Sequence, residues 1–313
     1  MSEDPLLSQL RGGGKRAMAE ALARIDKQRR SAEVNALLDA AYAAPRAHVI
    51  GLTGPPGVGK STLVNALIGH WRARGETVGV IAVDPSSRVS GGALLGDRVR
   101  MRTDPDDQGV FVRSLAARGR LGGVSDITFA ATVLMRAVYN RVVVETVGVG
   151  QSEADIVAVA DTVVLCAQPG SGDAMQFMKA GIMEIPHIAV VTKSDSGPAA
   201  SRALAEMKGA LSLAAPTDPT WDIPCRAISA ATGQGVEALI DLMDAHRAKL
   251  ERTGALVSNR ERHAEQWLMA AVREAYGAEG VAALGPDATV LAGAGPFSRE
   301  AELTRRLVVT LRD

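Results

Sequence analysis

The stretch "HVIGLTGPPGVGKSTLVNALIGHWRA", His48 to Ala73, passes from an apolar, β-like run through a glycine- and proline-rich turn into an amphipathic helical pattern. Inside it the spacing G-x-x-x-x-G-K-[ST] is met by Gly54, Gly59, Lys60 and Ser61. Strand, turn and helix in that order are the context in which this spacing builds a phosphate cradle. Glycines let backbone N–H groups face inward, the helix beginning near Lys60 adds its positive end, and the lysine reaches the β- and γ-phosphates. Ser61 then offers its hydroxyl to Mg²⁺. Gly54, Pro55, Gly57, Val58, Gly59, Lys60, Ser61 and Thr62 are the expected cradle of a nucleoside triphosphate with magnesium. The plainer alternative is a glycine-rich turn with no ligand, although a lysine at the buried end of such a turn would still need an anion.

Working outward, further apolar runs fall at 78–84 ("VGVIAVD"), 141–147 ("RVVVETV"), 162–168 ("TVVLCAQ"), 187–195 ("HIAVVTKSD") and 223–230 ("IPCRAISA"). Continuous β-rich runs of this kind suit a parallel sheet covered on both faces. Between them 61–75, 123–139, 153–160, 173–184 and 199–214 have mostly helical length and spacing. The fold class expected is α/β, a doubly wound, mainly parallel sheet with right-handed crossovers. We place this nucleotide-binding domain at 46–250, with a helical arm before it (1–45) and another after it (251–313). The tail at 280–297 is rich in Gly, Ala and Pro, and "SREAELTRRLVVTL" closes the chain as one more expected helix.

Composition sets limits on partners. A chain of 313 residues, 47% apolar and 22% charged, can bury a full core. Thirty-five basic residues balance 35 acidic ones, so the bulk attraction expected of a nucleic-acid binder is missing. Cys166 and Cys225 stand apart in apolar surroundings and read as buried thiols. Neither a secretion signal nor a membrane span is evident in the pattern, and the cytoplasm is the expected compartment.

The second apolar run ends in Asp84 and the third in Glu145, and carboxylates at the C-terminal ends of parallel strands lie on the ligand side of such sheets. Both are candidates for the magnesium shell or for ordering the attacking water, and Asp97 joins them from a loop. Gly148, in "ETVGVGQ", can turn its N–H toward the γ-phosphate and so sense whether it is present. Base choice is expected from "VVTKSD" and "ISA". Asp195 can accept from guanine N1 and N2, the stem of Lys193 can cover one face of the base, and the Ala230 N–H, with Ser229 beside it, can meet O6. Guanine fits this arrangement and adenine lacks the donors.

With "GPPGVGKST", "AVDPSS", "GGALLGD", "VETVGVGQSE", "PGSGD" and "ISA" together, the chain resembles the MeaB/ArgK/MMAA family of P-loop GTPases, metallochaperones of adenosylcobalamin-dependent acyl-CoA mutases. The resemblance implies a homodimer held by the C-terminal arm and GTP hydrolysis that gates cofactor delivery. It also implies a client such as methylmalonyl-CoA mutase, with an adenosyltransferase as a further partner. Ser61, Asp84, Asp97 and Glu145 would serve magnesium and the γ-phosphate region. Gln168 to Lys179 would be a mobile segment that reads the client, with Asp173, Gln176 and Lys179 at family positions. No cobalamin-binding pattern is evident in the chain, so the cofactor is expected to belong to partners.

Two residues depart from the family pattern. Thr192 stands where the family usually has Asn, and its shorter side chain is expected to lose contacts that an amide makes to base and phosphate loop. Ala174 stands where the family tends to carry an acid, which leaves a mutase for another short-chain acyl-CoA open as the client. Two readings from other classes stand beside the main one. A P-loop kinase would need an acceptor pocket and a lid with arginines, for which Arg98, Arg100 and Arg102 are available. A nickel-insertion chaperone would need clustered ligands near the nucleotide, whereas His48, His70, His187, His246 and His263 are scattered along the sequence.

Overall fold

The strand that precedes the glycine-rich turn, β1 (His48–Thr53), is buried along its whole length because parallel strands flank it on both sides. The computed structural model describes residues 4–28, 30–85, 104–117, 126–146, 156–173, 177, 182–214, 218–285, 291 and 295–310. Three helices come first, α1 (Pro5–Gly12), α2 (Gly14–Gln28) and α3 (Ala32–Ala43). After β1 follow α4 (Lys60–Ala73), β2 (Val78–Pro85), β3 (Val110–Ala117), α5 (Asp126–Val138), β4 (Arg141–Thr146), β5 (Thr162–Ala167) and β6 (Ile188–Val191). The chain continues through α6 (Pro198–Leu213), β7 (Cys225–Ala227), α7 (Val236–Thr253), α8 (Ala255–Leu284), which is interrupted at Gly277, and α9 (Pro296–Thr310). The seven strands form one parallel sheet in the order β3-β2-β4-β1-β5-β6-β7. The α/β class read from the sequence is the architecture found.

Side chains alternate across the sheet, as a period of two requires. Ile50 and Leu52 of β1 enter a core with Leu63, Leu67 and Trp71 of α4 and with Leu239, Ile240 and Met243 of α7. Val49 enters the opposite core, which collects α5, all three N-terminal helices, α8 and α9. Toward β6 that second face is covered by α6 through Met207 and Ala210.

β3 is not among the apolar runs expected as strands. Its Arg113 and Ser114 interrupt the apolar run and are only half-buried at the sheet edge, so the continuous signature of an inner strand is absent. Two expected helices are shorter where described: 153–160 holds a 3-10 turn at Ile156–Ala158, and 173–184 ends in another at Ile182–Glu184.

Both ends of the chain pack on the same side of the sheet. Asp39 of α3 accepts hydrogen bonds from the Phe297 and Ser298 N–H groups, both at 3.0 Å, and so caps the first turn of α9. Trp267 of α8 stacks on Phe129 of α5 at 4.9 Å and tilts against Phe297 at 4.9 Å. Arg260 of α8 grips Asp161 bidentately at 2.8 and 2.6 Å and donates to the Ala47 carbonyl at 2.9 Å. Asp161 in turn accepts from the Val49 N–H at 2.8 Å. Burial pushes the Asp161 carboxyl up, but the Arg260 guanidinium holds it below its ordinary range overall.

Three of the histidines meet at the N-terminal edge of the sheet, a convergence that their scatter in sequence conceals. Thr162 Oγ1 lies 2.7 Å from His48 Nε2 and 2.7 Å from His246 Nδ1, and the His187 and His246 rings are 4.4 Å apart. One hydroxyl hydrogen cannot satisfy this chain. If the hydroxyl donates to either ring, that ring's far nitrogen, His48 Nδ1 or His246 Nε2, carries a buried N–H with no acceptor, and only when it accepts from both rings are the two far nitrogens free of hydrogen. Burial drives the pKa of His48 down to about 3, of His187 to about 4 and of His246 to about 3, with Asp161, Asp244 and Asp218 opposing and Arg141, Arg247 and Lys249 reinforcing. His263 of α8 falls to about 4, also by burial.

Unfolded histidines titrate near 6.5. Between that value and the lowered native ones the unfolded chain binds more protons, so stability is full above about pH 6.5 and is lost as pH falls through this window. Asp161 and Asp218, both held low, keep their charge until more acid conditions. The melting temperature should therefore fall steadily from pH 6.5 to 4.5, and less steeply in His246→Gln. A flat profile over that range in the unaltered protein would show that these histidines are not buried neutral.

Candidate functional site

The chain leaves β1 at Thr53 and turns immediately at Gly54, whose φ is 139°. A Cβ there would lie 2.2 Å from the Cys166 carbonyl oxygen of β5, a distance no side chain tolerates. Gly59 has φ 101° and caps α4 without a side chain, so the first N–H groups of the helix face the loop unobstructed. Lys60 is only 5% exposed, and its ammonium donates to the Gly54 carbonyl at 2.6 Å and to the Pro55 carbonyl at 3.0 Å.

Glu145 sits one residue before the end of β4, in register with Leu52 of β1 and Ala82 of β2. That register brings its carboxylate to the start of α4, where Ser61 Oγ donates to Glu145 Oε1 at 2.9 Å across 84 residues of sequence. A hydroxyl and a buried carboxylate are hard oxygen donors of the kind magnesium takes together with phosphate oxygens. Asp84 lies further along β2, two residues beyond the one paired with Glu145, with its side chain outside the described residues. Asp97, Gly148, Gln176 and Lys179 lie outside them too, as do Ala174 and the arginines at 98, 100 and 102.

The other end of the site is built after β6. The Thr192 N–H donates to the Ala167 carbonyl at 2.8 Å, and Thr192 Oγ1 lies 2.6 Å from the Val58 carbonyl and 3.0 Å from the Ala167 carbonyl. The expected loss of contact with the phosphate loop is thus corrected in part: the hydroxyl keeps a tie to Val58, but its single hydrogen must serve two carbonyls. Lys193 follows at φ 54°, the one non-glycine residue with positive φ among those described. Its Nζ donates to the Gly57 carbonyl at 2.9 Å and to Gln168 Oε1 at 2.6 Å. Asp195 is exposed, and a hydrogen bond from the Ser229 hydroxyl holds its carboxyl below the ordinary range, so it is a committed acceptor. The Ser194 N–H donates to the Ile228 carbonyl at 2.9 Å, joining this loop to the turn that carries Ser229 and Ala230.

Not every candidate converges. Asp173 is 5% exposed, and its carboxylate accepts from the Gln168 N–H at 3.0 Å, so it closes its own loop. The histidine cluster occupies the opposite edge of the sheet, at the starts of the strands. Gln168, in sequence the start of the expected client segment, meets Lys193 25 residues away, a contact that no spacing pattern announces.

The match to known proteins runs along most of the chain. The family model described as methylmalonyl-CoA mutase-associated GTPase MeaB matches residues 16–283. A relative in Pyrococcus horikoshii is 43% identical over 267 residues, covering 84% of this chain and 83% of its own. The GTPase ArgK of Escherichia coli is 32% identical over 84% of this chain and 81% of its own. The methylmalonic aciduria type A homolog of mouse mitochondria is 37% identical over 72% of this chain and 55% of its own. Among solved structures, a LAO/AO transport system kinase superposes with a TM-score of 0.69 at 24% identity, covering 98% of this chain and 97% of that one, which speaks to the fold. The chain belongs to the MeaB family of methylmalonyl-CoA mutase-associated GTPases.

Proposed function

We propose that this chain binds GTP with Mg²⁺, hydrolyses it, and uses the cycle to gate cofactor delivery to, and protection of, an adenosylcobalamin-dependent acyl-CoA mutase. The observation that carries the reading is the Ser61–Glu145 hydrogen bond at the mouth of the glycine-rich loop, because it sets a hydroxyl and a carboxylate together where the last phosphates would lie. Lys60 binds the β- and γ-phosphates. Ser61 and Glu145 would hold the magnesium, with Asp84 contributing from the end of β2 and Asp97 from the sequence that follows it. An ion held there would supply positive charge to the phosphate oxygens. Gly148 senses the γ-phosphate through its N–H. Asp195 accepts from guanine N1 and N2, the stem of Lys193 covers the base, and Ala230 meets O6 through its N–H.

The client is methylmalonyl-CoA mutase or a mutase of a related short-chain acyl-CoA, read through the segment that ends at Lys179. The family description and the mouse relative support this assignment. Residues 251–313 form the arm through which a homodimer assembles, and an adenosyltransferase is a further partner. The cytoplasm is the proposed compartment; among the described residues no helix is long and apolar enough to cross a membrane. No group of three or more His, Cys, Asp or Glu side chains among them could hold a metal, which gives the nickel-chaperone reading no support.

With γ-labelled GTP the product should be free phosphate, and a labelled acceptor would instead make the chain a kinase. Turnover alone should be slow and should rise when the cognate mutase is added. Completing a GTPase site in trans is worth on the order of 10³ to 10⁵ in rate in other systems, and a smaller gain would still be measurable. Lys179→Ala should lower the stimulated rate far more than the basal one; equal stimulation of both proteins would remove Lys179 from the coupling.

Lys60→Ala should cost about 10²-fold or more in turnover, since it removes a charge at the phosphates while no apolar packing is lost. Normal turnover in that variant would displace the phosphate site. Asp195→Asn should shift preference from GTP toward xanthosine triphosphate, because an amide can donate to the carbonyl at C2 that a carboxylate repels. Competition between the two nucleotides, read for both proteins, measures the shift.

A further inference from the structure

We infer that Gln168 is a positioning residue of the purine site, holding the ammonium of Lys193 so that the lysine stem lies where the base must stack; the inference rests on the guanine-binding role proposed above.

Two consecutive residues after β6 bridge two other consecutive pairs. Thr192 reaches the Val58 and Ala167 carbonyls, and Lys193 reaches the Gly57 carbonyl and Gln168 Oε1. Residues 57 and 58 belong to the phosphate loop, and residues 167 and 168 to the end of β5. The bridge therefore joins the loops of three strands, β1, β5 and β6, at one point.

Its strength is divided unequally. Thr192 has one hydrogen to share between two carbonyls, where the Asn suggested by the family resemblance would have two. The Lys193 ammonium has three donors, and the Gln168 carboxamide oxygen, at 2.6 Å, is the shorter of its two partners. A tie between the base loop and β5 that residue 192 supplies only in part is thus completed by 193 with 168.

Lys193 needs such a hold. Its backbone occupies the left-handed region at φ 54°, which is disfavoured for a side-chain-bearing residue, and its side chain is exposed to solvent. A long exposed lysine with one tether samples many rotamers. A second tether, from a different strand, stretches the stem across the gap between the two loops. Gln168 is itself fixed from below, since its N–H donates to Asp173 and its carbonyl accepts from the Ser171 hydroxyl at 2.9 Å. These bonds fix the backbone from which the carboxamide reaches the lysine.

The test compares Gln168→Met, which keeps length and loses the acceptor, with Gln168→Glu, which keeps an acceptor oxygen. Fluorescent GDP release and equilibrium binding are measured for each, with inorganic triphosphate as a competitor that engages only the phosphate end. Gln168→Met should release GDP faster and bind GDP and GTP more weakly by the same factor, about 5- to 10-fold, the scale of one hydrogen bond to an exposed charge. Gln168→Glu should stay within about threefold of the unaltered protein, on the same scale. Inorganic triphosphate should compete equally in all three, and their nucleotide-free melting temperatures should agree. Gln168→Met binding GDP as the unaltered protein does, or weakening inorganic triphosphate as much as GDP, would overturn the inference. Gln168→Glu losing as much as Gln168→Met would overturn it as well. An unaltered protein that binds no guanine nucleotide would instead overturn the proposed function on which the inference rests.

Discussion

The close approach of Gly54 to the carbonyl of Cys166 is the constraint on which the site depends. Because nothing larger than hydrogen fits there, the chain leaving β1 lies directly on the end of β5, the strand beside it. Everything that follows takes its place from that contact. The Gly54 carbonyl receives the Lys60 ammonium, the Ala167 carbonyl receives Thr192, and Gln168 receives Lys193. The end of β5 is thus a common floor under both the phosphate loop and the base loop. A shift of β5 would be felt at both ends of a bound nucleotide.

The two ends differ in how firmly they are built. Lys60, Glu145 and Thr192 are nearly excluded from solvent, Lys60 and Thr192 bonded to backbone carbonyls and Glu145 to the Ser61 hydroxyl. Lys193 and Asp195 stand exposed, oriented by Gln168 and Ser229. Charges fixed in a dry cradle favour an anion whose position must be repeated at every turnover. Charges oriented at an open edge can discriminate between bases and still let the nucleotide leave. The parallel sheet supplies both from one edge because all its strands end on the same side.

What could be read from the sequence was local or periodic. The inner strands announce themselves because burial on both faces demands continuous apolar runs, and the glycine-rich turn because its spacing is a steric requirement. β3 escaped since an edge strand can carry Arg113 and Ser114. Glu145 could be proposed from its place at a strand end, but its partnership with Ser61 follows from register, which no run of residues encodes by itself. The Gln168–Lys193 contact and the meeting of His48, His187 and His246 belong to the same class: the first follows from the pairing of β5 with β6, and the second from α7 packing where β1, β5 and β6 begin. Thr192 was legible as a departure, yet its retained hold on Val58 needed the geometry of the turn.

The capping of α9 by Asp39 has a bearing on how the protein is made. The carboxylate that closes the first turn of α9 belongs to α3, 258 residues earlier, so the part of α3 that faces α9 is covered only once α9 has been made. Leu38 of α3 shares one core cluster with Leu303 and Leu307 of α9. Contacts of such long range slow folding, because the loop between them must be closed before they add stability. A nascent chain of this protein leaves one apolar side of α3 open until α9 arrives to close it.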